Sequence, residues 1–198
     1  MKRDAVFALS YVGVFGQVLV AALLVLAVLW LIGVRRPLET LRRWIWGYEL
    51  WLAFVVAAVA TGGSLFYSEI ERFQPCELCW YQRLFMYPLS ITLLLLACYG
   101  ANRAARYVLP LAVVGAGVST YHVLVQYGAI TEPTACLRSS VGGCAFNWLA
   151  VPLQNASFGY LAIPTLALTA FLLLIGFLVL AGAGTADDAA TLPPDAER

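Results

Sequence analysis

Charge is scarce in this chain, and histidine is nearly missing: only 12% of its 198 residues are Asp, Glu, Lys or Arg, and His122 is the one histidine. The twelve Lys and Arg are dispersed and the net charge is +1, which leaves no clustered basic surface for a nucleic acid. No histidine cluster accompanies Glu69, Glu71 and Glu77, so these read as solvated carboxylates and no metal site is expected. Period-two alternation is also lacking, which excludes a membrane barrel. The first apolar run has no A-x-A-like cleavage site after it and far exceeds the roughly 7–15 residues of a signal core, so it reads as a retained span.

What the chain has instead is apolar length. It is 62% hydrophobic with a mean hydropathy of +0.84, more apolar surface than a water-soluble domain of this size could hide. Five stretches, residues 5–34, 49–67, 84–101, 107–127 and 157–183, come near the ~20 residues needed to cross a hydrocarbon core. The expectation is an all-α membrane protein. The short basic loop with Arg35, Arg36, Arg42 and Arg43 belongs on the cytoplasmic side. Alternation then puts residues 68–83 and 128–156 outside, Arg103, Arg106 and the C-terminus inside, and the N-terminus outside. Seven basic residues fall inside (these six and Arg198) and five outside (Lys2, Arg3, Arg72, Arg83, Arg138), a modest bias. Residues 184–198, rich in Asp, Ala and Pro, read as a disordered tail.

This topology gathers four of the five cysteines, Cys76, Cys79, Cys136 and Cys144, on the oxidising side. Cys98, about 28 Å from Cys79 along a helix, is out of disulfide range and reads as a small buried apolar residue. In FQPCELCWYQR, Pro75 favours helix initiation, and a spacing of three places Cys76 and Cys79 on one face. The helix N-terminus and Arg83, one turn beyond Cys79, would stabilise a thiolate there. On its own the motif is equally compatible with a disulfide that staples the loop, and Arg83 with a snorkelling interfacial arginine.

The second loop has no helical period in its first half, and Pro133, Gly142 and Gly143 make it flexible around Cys136 and Cys144. Its later part, with Phe146, Trp148, Leu149, Val151 and Leu153, suits a segment lying on the bilayer. His122 sits in an apolar span with Ser119 and Gln126 as a polar stripe, shallow enough to flank one ligand head group together with Arg83. A histidine held by a neighbouring helix for packing is the alternative.

Through GSLFYSEIERFQPCELCWYQRLFMYPL, and further through RYVLPLAVVGAGVSTYH and FGYLAIPTLAL, the chain resembles the DsbB family of disulfide-forming membrane proteins, in particular its BdbC-like branch. The resemblance covers about residues 50–180. It implies a four-helix transmembrane bundle (49–183) carrying two cysteine loops, preceded here by an extra helix and basic loop (1–48) and followed by the tail (184–198). It implies that Cys136 and Cys144 oxidise a DsbA-like thioredoxin-fold partner and are reoxidised by Cys76 and Cys79. Cys79 would then pass electrons to a membrane quinone, ubiquinone or menaquinone, held beside Arg83 with His122 as a second neighbour. The relay through a quinone is known chemistry for such proteins. The extra first span departs from the four-span pattern; the seven residues between the loop cysteines suit the BdbC-like branch.

Other readings compete. Vitamin K epoxide reductase-like proteins share the bundle and the relay, but their loop cysteines precede the CxxC. A scaffold in which all four outer cysteines hold structural zinc is a second alternative. A scaffold with two inert disulfides is a third.

Overall fold

The computed structural model of the protein describes residues 2–139, 143–147, 149 and 161–191, with side chains left out at 2–5, 138–139 and 183–191. Among these residues seven helices follow one another: α1 (Lys2–Leu31), α2 (Arg36–Ile45), α3 (Glu49–Leu65), α4 (Glu77–Cys98), α5 (Ala105–Gln126), α6 (Thr134–Ser139) and α7 (Ile163–Thr191). A π-helical turn, Phe66–Ile70, extends α3, and a 3-10 turn, Asn102–Ala104, leads into α5. There is no strand among the described residues. Five segments are long and apolar enough to cross a membrane: Val6–Leu31, Glu49–Ile70, Glu77–Cys98, Asn102–Gln126 and Ile163–Gly182.

Four of them, α3, α4, α5 and α7, make the bundle. Their buried positions recur at helical spacing: Leu50, Ala53 and Ala57 on α3; Met86, Leu89, Leu93 and Ala97 on α4; Ala105, Val108, Ala112 and Ala116 on α5; Ala170, Phe171, Leu174 and Leu178 on α7. Many of these are alanines, and the reason is physical. In lipid, helices gain little from hiding apolar surface, so association rests on close van der Waals approach, which small residues permit. Gly115 is the extreme case: a Cβ there would overlap the ring of Phe171, a side chain with no exposure. Helix α1 packs along α7 at the edge of the bundle, and its C-terminal half, with Leu24, Val25 and Val28, is largely exposed.

The third span begins at Glu77 rather than residue 84, because Pro75 and the capping residue Cys76 start the helix inside the cysteine motif. Cys79 and Arg83 therefore belong to the span itself. Among the described residues the last span begins at Ile163, and positions 157–160 lie outside them. Cys98 is exposed, not buried: it lies about 100° around α4 from Ala97, which is seated in the core. Helix α7 runs on to Thr191, into the segment read as a disordered tail, where alanines favour helix; residues 192–198 lie outside the described residues. Trp148, Val151 and Leu153 also lie outside them, as does Gly142.

Between α1 and α3 lies α2, with Pro37 in its first turn and Arg42 and Arg43 in its last. None of its residues is buried, and Gly33 and Gly47, both at positive φ, bracket it.

Candidate redox site

Cys76 is the N-cap of α4, with extended backbone (φ −75°, ψ 171°) and a sulfur that accepts the backbone N–H of Cys79 at 3.4 Å. The cap satisfies one of the helix's first free donors and at the same time aims the two sulfurs at each other. Their Sγ atoms are 2.7 Å apart, and both are thiols. Only a small closing motion separates them from a disulfide, whose bond is about 2.05 Å. The Cys79 sulfur facing it, and then burial, push the Cys76 thiol above the ordinary thiol range.

The second pair is bonded: Cys136, in the short helix α6, forms a disulfide with Cys144, with Cα atoms 5.3 Å apart. Both are buried, and they pack with Cys76, Leu78, Cys79 and Val125 in one cluster. The 128–147 loop is held by side chains. Glu132 accepts the backbone N–H of Cys144 and, at 3.2 Å, that of Ala145. Gln126 donates its amide to the Ala145 carbonyl. Gly143 was expected to loosen this loop, yet it does the opposite. It adopts a left-handed φ of 72°, and a Cβ there would overlap the Glu132 carboxylate, so the glycine permits a tight turn onto that carboxylate.

His122 on α5 is buried and stands between the pairs. Its Nε2 lies 3.7 Å from the Cys76 sulfur and 3.2 Å from the Cys144 carbonyl oxygen, while Gln82 of α4 meets its Nδ1 at 3.2 Å. With the Gln82 amide donating to Nδ1, the ring carries its proton on Nε2 and offers it to the carbonyl, next to the Cys76 sulfur.

Beside the cysteines opens a cavity of about 410 Å³. Cys76, Cys79, Gln82, Arg83, His122 and Cys144 form its polar end. The Arg83 guanidinium lies 5.2 Å from the centroid of the Trp80 ring and donates to the Ser64 carbonyl at 3.3 Å, while Tyr87 reaches the Ser64 hydroxyl at 3.5 Å. Ser64 thus anchors this end of α3 to α4, just before the π-helical turn; such turns recur at functional sites.

All six residues singled out in the sequence, Cys76, Cys79, Arg83, His122, Cys136 and Cys144, converge here. Sequence reasoning missed Gln82 and Glu132. Gln82 shares a face with Cys79 at a spacing of three in an apolar span, a signal that was available. Glu132 offered none, since the N–H groups it accepts lie 12 and 13 positions on in a loop without period.

Four-thiolate zinc fits this donor set poorly. Cys136 and Cys144 are bonded to each other and offer no thiolates. Cys76, Cys79 and His122 stand close enough to share an ion, but the four-thiolate set is not formed. A guanidinium, an amide, an imidazole and a thiol converge on one end of an otherwise apolar space.

The family model described as "Disulfide bond formation protein DsbB" matches residues 42–181. Among individual proteins, disulfide bond formation protein C of Bacillus subtilis is 42% identical over 135 residues, 66% of this chain and 90% of that protein. A probable disulfide formation protein of Deinococcus radiodurans is 41% identical over 134 residues (66% and 86%), and one of Metapseudomonas resinovorans 35% identical over 132 (66% and 87%). No solved structure matches.

Proposed function

Because this chain belongs to the DsbB family of disulfide bond formation proteins, we propose that it is a thiol:quinone oxidoreductase that reoxidises a DsbA-like thioredoxin-fold partner. The family and the five spans make it a multi-pass membrane protein that forms disulfides. The finer reading rests chiefly on one observation: both cysteine pairs occupy a single buried cluster, and a cavity lies beside it within the span region.

The partner's dithiol attacks the Cys136–Cys144 disulfide. That bond breaks as the partner's own disulfide forms, and two electrons and two protons pass to the loop. The loop dithiol then reduces a Cys76–Cys79 disulfide and closes again. Finally the Cys76–Cys79 dithiol gives up its electron pair and re-forms its bond. A quinone, ubiquinone or menaquinone, supplies the two-electron, two-proton sink that exchange among disulfides lacks.

Each residue has a part. Cys79, on the cavity side and one turn before Arg83, delivers electrons; Cys76, against the loop cluster, exchanges with it. His122 Nε2–H steadies the Cys76 sulfur and ties it to the Cys144 backbone. Arg83, fixed by Ser64 and Trp80, holds negative charge at the polar end of the cavity. The cysteine loops face the extracytoplasmic side of a bacterial inner membrane, in keeping with Arg35, Arg36, Arg42 and Arg43 at the other end.

The test mixes purified protein, a reduced thioredoxin-fold partner and quinone, and follows quinone reduction. Cys79→Ser and Cys136→Ser are each expected to cut turnover to background. Undiminished turnover in either variant overturns the relay.

A further inference from the structure

Helix α1 precedes the matched segment 42–181 and is an addition to the four-span pattern, yet it is not a detached anchor. Its first half is seated on the bundle: Val6 and Ser10 are buried, and Val6 packs with Tyr67, Leu149 and Leu161. Its glycines set how close it comes. A Cβ on Gly13 would overlap the Leu166 side chain of α7, and one on Gly16 would lie 3.1 Å from Thr169 Cγ2.

This contact makes one wall of the cavity. Leu9, Val12, Gly16 and Leu19 of α1 face it across from α3 and α7. The polar groups gather near Cys79 and Arg83, whereas the far end is made by Leu19, Leu52, Val56, Leu173 and Phe177. On α3 the lining positions run from Ser68 back to Leu52, which is about 24 Å of helix, most of a hydrocarbon core of about 30 Å. One polar end and one long apolar slot running down the span match a lipid with a ring head and a hydrocarbon tail.

We propose that α1 is a wall of the quinone site: its outer half closes an apolar slot between α3 and α7 that receives the isoprenoid tail, making α1 a determinant of tail preference. The inference rests on the thiol:quinone reading. Ring chemistry occurs at the Cys79 end, so α1 acts on affinity for the tail and not on electron transfer.

The test uses the full chain in lipid nanodiscs, with a long-tailed quinone and its tailless analogue as alternative acceptors. Val12→Trp and Leu19→Trp fill the slot. Each should raise KM for the long-tailed quinone about tenfold, leave KM for the tailless one within about twofold, and hold kcat. Equal effects on both acceptors, or none on either, overturn the proposal. A second measurement needs no variant: a long-tailed quinone with a diazirine on its tail should photolabel wild-type residues 9–19, and labelling confined to α4 and α5 overturns it. Wild-type protein that reduces no quinone strikes the proposed reaction and this inference together, whereas turnover indifferent to the α1 variants strikes this inference alone.

Discussion

The upward shift of the Cys76 thiol should be visible in the pH dependence of its alkylation. Its thiol is pushed up by the neighbouring sulfur and by burial, so the thiolate becomes the dominant form only at higher pH than in a free cysteine, which titrates at about 8.5. In the reduced protein, peptide-resolved alkylation of Cys76 should have its midpoint above that value; a midpoint at or below it rules out that shift. Glu132 makes a second residue-scale case. Glu132→Ala strips two loop N–H groups of their acceptor, a cost of about 1–3 kcal/mol, and should speed reduction of the Cys136–Cys144 disulfide by dithiothreitol. Glu132→Gln keeps an acceptor oxygen and should fall between. The cysteines and Arg83 were readable because their chemistry and helical spacing are local. Glu132 was not, because its importance depends on a chain reversal through Gly143 that no spacing rule encodes.

At the scale of elements, the helices of the bundle were legible from apolar length, but not all their ends. The start of α4 is decided by a cysteine acting as cap, a role that sequence rules reserve for Ser, Thr, Asp and Asn. The π-helical turn after α3 has no sequence signature, and it is what lays Tyr67 against Phe73 with ring centroids 5.9 Å apart. Helix-to-helix fit is likewise a property of pairs. Gly115→Leu should therefore destabilise the bundle by about 1–3 kcal/mol through overpacking on Phe171, read as a lower unfolding midpoint in detergent. An unchanged midpoint would show that α5 and α7 can part without cost.

For the whole molecule, the cysteines report sidedness. Cys136 and Cys144 sit at one end of the bundle and the exposed Cys98 at the far end of α4. A membrane-impermeant maleimide applied to intact cells after reduction should label Cys136 and Cys144 and spare Cys98; inverted vesicles should reverse the pattern. Labelling of Cys98 in intact cells would invert the proposed topology. One basic loop and the alternation of spans placed these loops on the same side, but neither could tell that α1 lies against α7 and walls a cavity, since packing between distant spans leaves no local trace.

The Cys76–Cys79 pair touches both the cavity and the loop disulfide, whose Cys144 itself reaches the cavity's polar end. A protein arranged this way has no need to hold both reactants at once. Its two half-reactions can be separated in time, with the cysteines storing one electron pair in between. Steady-state rates measured against both substrates should then give parallel lines in double-reciprocal plots, the mark of a double-displacement mechanism.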